Sequence, residues 1–249
     1  MELFNYGQIS ELNKGEFQVY NYVVLHMAET SEMNIRQLAA AAGVSTTTVL
    51  RFCAKAGCEG YTEFRYKLKK SLEEKENDIS SSLSAVSAIQ FLQNAAHNQN
   101  LLQKLERTAK MCREAGRILF MGCGTSGCLA EYGARFFASV GISAYAVTDM
   151  FYPLPRTDMS EVIVFVLSVS GETPSLVSKV SGFQKRGAKL ISITNNDNCT
   201  IANMSEVNFA YYMPQVYAVQ EQEIKTTLTT QIPVIYLLEA LTKKLDNVK

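Results

Sequence analysis

The sequence predicts an all-helical N-terminal domain followed by an α/β domain built on a doubly wound parallel sheet. A chain of 249 residues is long enough for two domains, each with its own core. Apolar residues in the first seventy or so positions recur at helical spacing, whereas short β-branched runs alternate with helical segments from Arg117 onward. We expect the helical domain at residues 1–75, a linker and connecting helix at 76–104, and the α/β domain at 105–249.

The N-terminal helices are predicted from the spacing of large apolar side chains. Phe17, Tyr20 and Val24 fall on one helical face. After residue 75 the sequence becomes polar and serine-rich in ENDISSSLS, which favours a linker. The amphipathic stretch 88–113 then predicts a helix that leads into the second domain.

Five short apolar runs predict the strands of the second domain, and they read RILFMG, SAYAVT, VIVFVLS, AKLISIT and VNFAYYM. Between them, CLAEYGARFFASVG and PSLVSKVSGFQKRG have helical spacing and end in glycine, a common residue at helix C-termini. A last helix is expected from about Ile224 to Leu245, with Pro233 as a kink or boundary. Strands buried on both faces and separated by helices are typical of a parallel, doubly wound sheet.

Composition and charge exclude several classes of function. Lys plus Arg and Asp plus Glu both number 24, so the whole chain is neither a polycation nor an acidic tail protein. The start MELFNYGQIS lacks the basic and apolar segments of a secretory signal, and no stretch reaches the ~20 apolar residues that cross a bilayer. We therefore expect a cytoplasmic protein with no membrane partner.

The cysteines and histidines do not have the spacing of a metal site. The six cysteines include two C-x4-C pairs, which we interpret as reduced, apolar packing residues rather than as disulfides or zinc ligands. Only two histidines exist, His26 and His97, and they lie far apart in the sequence. We expect neither a bound metal nor a cofactor.

The segment NIRQLAAAAGVSTTTVLRFCAKAG has the order of residues that a helix-turn-helix requires. Its first helix begins near Asn34, and the small residue Ala39 lets the second helix cross closely. Gly43 permits a left-handed turn, and Ser45 is a favourable N-cap for the second helix. The pattern predicts a DNA-binding module, with a helical bundle for protein contacts as the alternative.

The outer face of the second helix carries short hydroxyl side chains and two basic residues, which suit contacts with phosphates and base edges. The predicted DNA-contacting residues are Ser45, Thr46, Thr47, Thr48, Arg51 and Lys55. Between Arg36 and Lys70 seven basic residues stand against two acidic ones, a local excess of positive charge. Because such modules read paired half-sites on double-stranded DNA, we expect a homodimer or a higher homo-oligomer.

The glycine loop GCGTSG, residues 122–127, follows a predicted strand and precedes a predicted helix, as phosphate-binding loops do. Its glycines match the dinucleotide pattern G-x-G-x-x-G, and Asp149 lies where such a fold places an acid for the ribose. Thr125 and Ser126, which follow Gly124, instead offer hydroxyl groups to a phosphate. This loop alone leaves a redox cofactor and a phosphorylated ligand as alternatives.

A second loop, SVSGETPS at residues 168–175, favours the phosphorylated ligand. In this loop Ser168, Ser170 and Thr173 offer hydroxyl donors, and the amides of Gly171, Glu172 and Thr173 open a helix. Two hydroxyl-rich helix openings at the carboxyl ends of parallel strands would converge on one compact dianion, a phosphate monoester. A dinucleotide-binding fold has no use for the second cluster.

GCGTSG and SVSGET resemble the two phosphate loops of the sugar isomerase (SIS) domain, whose second loop usually reads S-x-S-G-x-T. Together with the helix-turn-helix and GCEGYTEFRYKL, they make nearly the whole chain similar to the RpiR-type transcriptional regulators. The resemblance implies an SIS domain that binds a sugar-phosphate effector, and control of genes of sugar or amino-sugar metabolism. It also implies that the phosphate is held by Ser126, Ser168, Ser170 and Thr173. Val169 departs from the motif, because other members often carry a polar side chain there.

An SIS-type sugar-phosphate isomerase is the alternative to a sensor. Isomerisation requires a base and usually an acid at the substrate, and no histidine follows His97. Glu172, Glu221 and Glu223 are the available bases and Lys225 the available acid, and Glu223 is also a candidate contact to the sugar. A regulator needs only binding that differs between two conformations, so we expect a sensor without catalytic residues. The effector would change the spacing of the recognition helices and thereby the affinity for the operator.

Overall fold

The computed structural model describes most of the chain, namely residues 8–9, 11–73, 79–154, 156–218 and 226–246. These residues form two compact units. The first unit takes its residues from 1–91 and 212–230, and the second takes them from 92–211 and 231–249. The predicted functional domain limits, 1–75 and 105–249, stay a prediction.

The helices of the described residues are α1 (Lys14–Leu25), α2 (Met27–Glu32), α3 (Ile35–Ala41), α4 (Thr46–Lys55), α5 (Tyr61–Glu73), α6 (Ile79–Ala95), α7 (Gln99–Glu114), α8 (Thr125–Ala138), α9 (Pro174–Gln184), α10 (Thr200–Met204) and α11 (Ile232–Asp246). The strands are β1 (Arg117–Gly122), β2 (Ala144–Val147), β3 (Val162–Ser168), β4 (Lys189–Thr194), β5 (Val207–Ala210), β6 (Tyr217–Ala218) and β7 (Thr226–Thr227).

Large apolar side chains at helical spacing build the core of the first unit. Phe17 and Tyr20 of α1 are buried, as the sequence predicts. Phe52 of α4 packs edge-on against Phe64 of α5, with ring centres 5.4 Å apart. Helix α1 contacts α4, and α4 contacts α5. The predicted helical fold of the N-terminal region is confirmed, and α4 packs between α1 and α5 and also contacts α3.

A later segment of the chain also belongs to the first unit, and we call its described residues, 212–218 and 226–230, the return segment. The ring of Tyr212 lies 6.0 Å from that of Phe17. The backbone N–H of Gln215 donates to Asn21 Oδ1 over 3.3 Å. Strands β6 and β7 pair antiparallel within this segment. The return segment is therefore held against α1.

A five-stranded parallel sheet in the order β2-β1-β3-β4-β5 forms the centre of the second unit. The strand order reverses at β1, which pairs with both β2 and β3, and ligands bind at such switch points in open α/β sheets. One core joins Leu119 and Val164 of the sheet to Leu176 of α9. Phe120 does not belong to this core cluster. Its ring stacks on that of Phe165, with the ring centres 4.8 Å apart. The predicted doubly wound α/β fold is confirmed.

Two predicted elements near the C-terminus have different bounds in the structure. The strand predicted at VNFAYYM ends at Ala210. The last helix begins at Ile232 rather than near Ile224, which lies outside the described residues. Thr226 and Thr227 form β7 instead, because their β-branched side chains favour a strand and their backbone pairs with β6. Pro233 then marks the helix boundary.

The amphipathic stretch 88–113 forms parts of two helices rather than one. Helix α6 ends at Ala95, and α7 begins at Gln99. Asn98 accepts a hydrogen bond from the Leu101 N–H over 3.0 Å and so caps the new helix. Apolar periodicity persists across such a break, which explains why the spacing suggested a single helix.

The cysteines of the structure carry free thiols, and four of them are buried. Burial raises the pKa of Cys53 and of Cys112 to about 12. These thiols therefore stay protonated and behave as small apolar side chains. Within the described ranges, no helix has both the length and the apolar character that crossing a bilayer requires.

Candidate functional site

Three glycines shape the first predicted phosphate loop, which joins β1 to α8. Gly124 has a φ of +57°, in the region that favours glycine. A Cβ atom at Gly122 would lie 2.5 Å from the backbone oxygen of Ser126, and one at Gly127 would lie 3.1 Å from the Gly122 oxygen. The chain can fold back this tightly because these positions carry no side chains.

Thr125 and Ser126 are the first residues of α8, and Gln231 contacts both of them. The Ser126 hydroxyl donates to Gln231 Oε1 over 3.3 Å, and Gln231 Nε2 donates to Thr125 Oγ1 over 2.8 Å. Ser126 is buried, whereas Thr125 is exposed. Gln231 could not be predicted from the sequence, because it lies about a hundred residues away in a stretch expected to be helical.

The second predicted phosphate loop, after β3, folds around its own serine hydroxyls. Ser168 Oγ accepts from the Gly171 N–H over 3.1 Å, and Ser170 Oγ accepts from the Glu172 N–H over 3.2 Å. Each hydroxyl that accepts from an amide keeps its own hydrogen for donation to a ligand. Gly171 has a φ of +65°, and a Cβ atom there would overlap the sulfur of Cys199.

The carboxylate of Glu172 is bound to α10. Its Oε1 accepts from the Thr200 N–H over 2.8 Å, and its Oε2 accepts from the Thr200 hydroxyl over 2.7 Å. A negative charge is favourable at a helix N-terminus. Thr173 is the N-cap residue of α9, but in the described structure its hydroxyl makes no capping hydrogen bond. The Thr173 hydroxyl, unlike the Glu172 carboxylate, is therefore not committed to a helix terminus.

The two loops meet at the carboxyl edge of the sheet. Gly122 at the end of β1 pairs with Leu167 near the end of β3, so the loops leave neighbouring strands side by side. The side chains of Cys123 in one loop and Ser175 in the other are close enough to interact. The structure thus places side by side two loops that are about forty residues apart in the sequence.

Backbone and hydroxyl groups supply the polar character of this site, because neither GCGTSG nor SVSGETPS contains Lys or Arg. The helices that start at the loops, α8 and α9, have 14 and 11 residues, and their N-termini favour an anion. Asp149, the candidate ribose acid of a dinucleotide site, accepts from the Phe151 N–H over 2.7 Å and so binds its own turn. The arrangement suits a compact phosphate.

The helix-turn-helix has the geometry that its sequence predicts. Asn34 caps α3, and Ala39 is buried in a helix that contacts α4. Gly43 has a φ of +67° in the turn. Ser45 caps α4, because its Oγ accepts from the Thr48 N–H over 3.2 Å.

Most of the predicted DNA-contacting side chains are exposed on α4. The exposed ones are Ser45, Thr46, Thr47 and Arg51. Thr48 is half-buried, and its hydroxyl lies 2.9 Å from that of Ser45. This face combines several short hydroxyls with one arginine a turn further along the helix.

Lys55 is bound to α1 by a nearly buried ion pair. Its Nζ lies 2.7 Å from Oε2 of Glu16, whose side chain is 2% exposed. Burial would raise the pKa of Glu16, but hydrogen bonds from Lys55 and from the Asn13 N–H, with the charge of Lys55, hold that pKa below its ordinary value. Lys55 thus fixes α4 on α1, and its contact with DNA stays a prediction.

Other basic residues of this region also form local bonds. These bonds join Lys67 to Glu63 over 2.7 Å, Lys69 to Glu32 over 2.6 Å, and Arg65 to the Met33 oxygen over 3.4 Å. Three basic side chains are exposed and have no ion pair within the described part of the chain, and they are Arg36, Arg51 and Lys70. The positive charge available to a partner is therefore less than the count of basic residues suggests.

Some candidate residues of the isomerase alternative, and the candidate contact to the sugar, belong to one short stretch of the chain. Glu223, the candidate contact to the sugar, lies outside the described residues, as do Glu221 and Lys225.

Comparison with known proteins identifies both parts of the chain. Residues 6–75 match the family described as "Helix-turn-helix domain, rpiR family", and residues 111–239 match the SIS domain. The HTH-type transcriptional regulator GlvR of Bacillus subtilis is 29% identical over 213 residues, which cover 83% of this chain and 81% of that protein. An uncharacterized HTH-type transcriptional regulator of Caldanaerobacter subterraneus is 23% identical over 256 residues, covering 96% of this chain and 90% of that protein.

A solved structure has a similar fold over almost the whole chain. It is that of the Vibrio vulnificus NanR protein complexed with ManNAc-6P, with a TM-score of 0.54 and 23% identity, covering 94% of this chain and 87% of that one. The helix-turn-helix region, the parallel α/β unit and the two matching families agree along the sequence. The chain therefore belongs to the RpiR family of transcriptional regulators, in which a helix-turn-helix is followed by an SIS domain.

Proposed function

We propose that a phosphorylated sugar binds between the two loops of the α/β unit and changes the affinity of the helix-turn-helix for its operator. The neighbouring position of the two loops carries this proposal, because β1 and β3 pair directly and Gly122 lies opposite Leu167. A phosphate monoester is a compact dianion that accepts several N–H and O–H donors at once. The proposed phosphate contacts are Gly124, Thr125, Ser126, Ser168, Ser170, Gly171, Glu172 and Thr173.

The hydroxyls of the second loop give the proposal its chemical basis. Ser168 and Ser170 each accept from a loop amide and keep a hydrogen for the ligand. For Glu172 we propose a contact through the backbone, because its carboxylate is bound to Thr200. Glu223 stays the proposed contact to the sugar. We propose that residues outside the two phosphate loops determine which sugar is bound.

DNA binding is proposed for the exposed face of α4. The hydroxyls of Ser45, Thr46 and Thr47 lie at the start of this helix, and Arg51 follows one turn later. An arginine at that place can reach guanine in the major groove, and hydroxyls at a helix N-terminus suit phosphates. We propose a homodimer as the working form, since two recognition helices are needed for a paired operator. We further propose that the protein is cytoplasmic and that it controls genes of sugar or amino-sugar metabolism.

Sensing is favoured over isomerisation by the residues around the loops. An isomerase requires a base that can reach the carbon beside the carbonyl group. The sequence has no histidine after His97, and the only acid within either loop, Glu172, already accepts two hydrogen bonds at α10. A test for isomerisation of hexose 6-phosphates by the purified protein decides between the two, and turnover lost in Glu172→Gln would contradict the sensor.

Thermal unfolding with a panel of sugar phosphates tests the effector site. We expect one or a few phosphorylated sugars, but not the matching free sugars, to raise the melting temperature. The Ser170→Ala variant should bind at least about tenfold more weakly, because a charge-assisted hydrogen bond is lost. Ser178→Ala changes an exposed serine of α9 and is the matched control. Stabilisation by NAD(H) alone, or equal binding by both variants, would contradict the proposal.

Selection of DNA fragments by the purified protein, followed by titration, tests the helix-turn-helix. We expect Arg51→Ala to lose about tenfold to a hundredfold in affinity for the selected site, the usual range for a base-contacting arginine. Lys185→Ala, which removes an exposed cation from the α/β unit, serves as the control. Affinity for the selected site that is unchanged in Arg51→Ala would exclude α4 as the recognition helix.

A further inference from the structure

Gln231 stands at the boundary between the two units of the structure. The chain leaves the first unit at Thr230, and Gln231 is the first residue of the second unit to follow. Its backbone oxygen accepts from the Val234 N–H over 3.0 Å, so Gln231 lies immediately before α11 and is bonded to its first turn. Its side-chain amide contacts Thr125 and Ser126 in the first phosphate loop. One residue thus links a phosphate-loop hydroxyl to the end of the return segment.

We infer that Gln231 is a positioning residue that reports occupancy of the effector site to the return segment. The inference rests on the proposed function, because it requires a phosphate between the loops. A hydroxyl group has one hydrogen, so Ser126 cannot donate to Gln231 Oε1 and to a phosphate oxygen at the same time. A bound phosphate therefore takes the Ser126 hydrogen bond and releases the Gln231 carbonyl oxygen.

Hydrogen bonds of the return segment would transmit this release to helix α1 of the first unit. Thr229 is buried, and its hydroxyl accepts from the Val216 N–H over 3.0 Å. The Leu228 N–H donates to the Val216 oxygen over 2.7 Å. Gln215, the preceding residue, is bonded to Asn21 of α1.

Helix α1 in turn holds the recognition helix. Lys55 of α4 forms its ion pair with Glu16 of α1, and the two helices are in contact. Gln231 is only two residues from Thr229 along the chain. The return segment, which contains Thr229, is hydrogen-bonded to α1, and α1 holds α4. A perturbation at one end of this contiguous network should therefore alter the other end.

Hydrogen–deuterium exchange of the full-length protein tests this coupling, with inorganic phosphate as the probe and chloride at equal ionic strength as the reference. In the wild type, phosphate should slow exchange at residues 122–127 and 168–175 and change exchange at 226–230. In Gln231→Met, which keeps the length but removes both amide hydrogen bonds, the loops should still be protected while the response at 226–230 disappears. Gln184→Met, which removes an amide hydrogen bond to the Met204 oxygen elsewhere in the unit, should behave as the wild type.

A second variant separates the inference from the proposed function. In Gln231→Glu the side chain keeps its size, but a carboxylate faces the bound dianion, and we expect phosphate binding to weaken by roughly tenfold or more. An unchanged phosphate affinity in this variant, or a response at 226–230 that persists in Gln231→Met, would overturn the role of Gln231. Loops that phosphate does not protect in the wild type would overturn the proposed function as well, whatever the Gln231 variants show.

Discussion

Hydroxyl groups lie at a helix N-terminus in both units of this protein, and their surroundings differ. Ser45 is exposed on the helix-turn-helix, caps α4 and is followed one turn later by an exposed arginine, Arg51. Ser168 is 6% exposed, ends a buried strand and accepts from an amide of its own loop. The first surface can lie along an extended polyanion, whereas the second can only enclose a small one.

The comparison shows which features of a hydroxyl cluster predict its ligand. Residue type alone does not, because Ser and Thr are favoured at any helix N-terminus. The strand before the cluster and a second loop on the neighbouring strand make the difference. Ser126 and Ser168 are both buried and belong to loops that leave neighbouring strands, whereas Ser45 is exposed and follows no strand.

The largest effect is expected where the enclosed site is packed most tightly. Gly171→Ala places a Cβ atom against the sulfur of Cys199 at a φ of +65°. We expect the free energy of unfolding of the α/β unit to fall by about 3 kcal/mol and binding of sugar phosphates to be lost. Chemical denaturation followed by circular dichroism measures the first effect, and calorimetry the second.

A matched glycine in the same unit provides the control. A Cβ atom at Gly116 would make only an ordinary contact, 3.5 Å from the Glu161 side chain. The free energy of unfolding of Gly116→Ala should therefore lie within about 0.5 kcal/mol of the wild-type value, and the variant should bind the same ligands. Equal losses in the two variants would show that the second loop is not specially constrained.

The exposed site depends on an ion pair rather than on tight packing. Lys55→Met leaves the Glu16 carboxylate buried without its cation, and we expect the first unit to lose about 2 kcal/mol of stability. This is less than for a fully buried pair, because Lys55 is 34% exposed. Thermal unfolding at pH 7 measures the loss, and Lys70→Met, which changes an exposed lysine of α5, is the control. A loss of the same size in both variants would contradict a supporting role for the pair.

The same ion pair predicts how the stability of the first unit depends on pH. Because folding lowers the pKa of Glu16, its contribution is complete above the ordinary value of 4.5 and is lost as the pH falls through the folded value. The free energy of unfolding of the wild type should therefore decrease below about pH 5, by the amount that ionised Glu16 contributes. Glu16→Gln should weaken that dependence, and an acid limb equally steep in the variant would exclude Glu16 as its source.

Paired serine substitutions compare the two hydroxyl clusters directly. Ser45→Ala removes an N-cap and should lower the stability of the first unit by about 1 kcal/mol. Ser170→Ala should change the affinity for sugar phosphates more than the stability, because its hydroxyl hydrogen is available to the ligand. Hydrogen–deuterium exchange rates of the two units, measured with and without the sugar phosphate, separate these effects. Identical profiles for both variants would remove the distinction between a capping and a binding hydroxyl.

The sequence predicted the fold well where local patterns decide it. The strand VIVFVLS is continuously apolar because both faces of β3 are covered, and its bounds were correct. Asn34, Gly43 and Ser45 were placed correctly because capping and positive φ are local requirements. The strand at β7 was missed, since it forms only through pairing with β6 and lies in a stretch with helical spacing.

The contacts of the candidate sites depended on distant residues and were less predictable. Gln231 was overlooked because only the fold brings it to Thr125, and the partner of Lys55 was overlooked because Glu16 lies about forty residues earlier. The charge count around the helix-turn-helix was correct, but it could not show which lysines form ion pairs. Side-chain partners across a fold leave no periodic signal in the sequence.

The smallest expected effect concerns Glu172, whose backbone and side chain point to different roles. Its N–H belongs to the second loop through Ser170, but its carboxylate caps α10 at Thr200. Glu172→Gln keeps the backbone contact and removes a negative charge near the bound dianion, so affinity for sugar phosphates should rise by no more than about threefold. Calorimetry measures this change, with Glu131→Gln on the exposed surface of α8 as the control. A large loss of affinity in Glu172→Gln alone would place the carboxylate in the binding site and reopen a catalytic role.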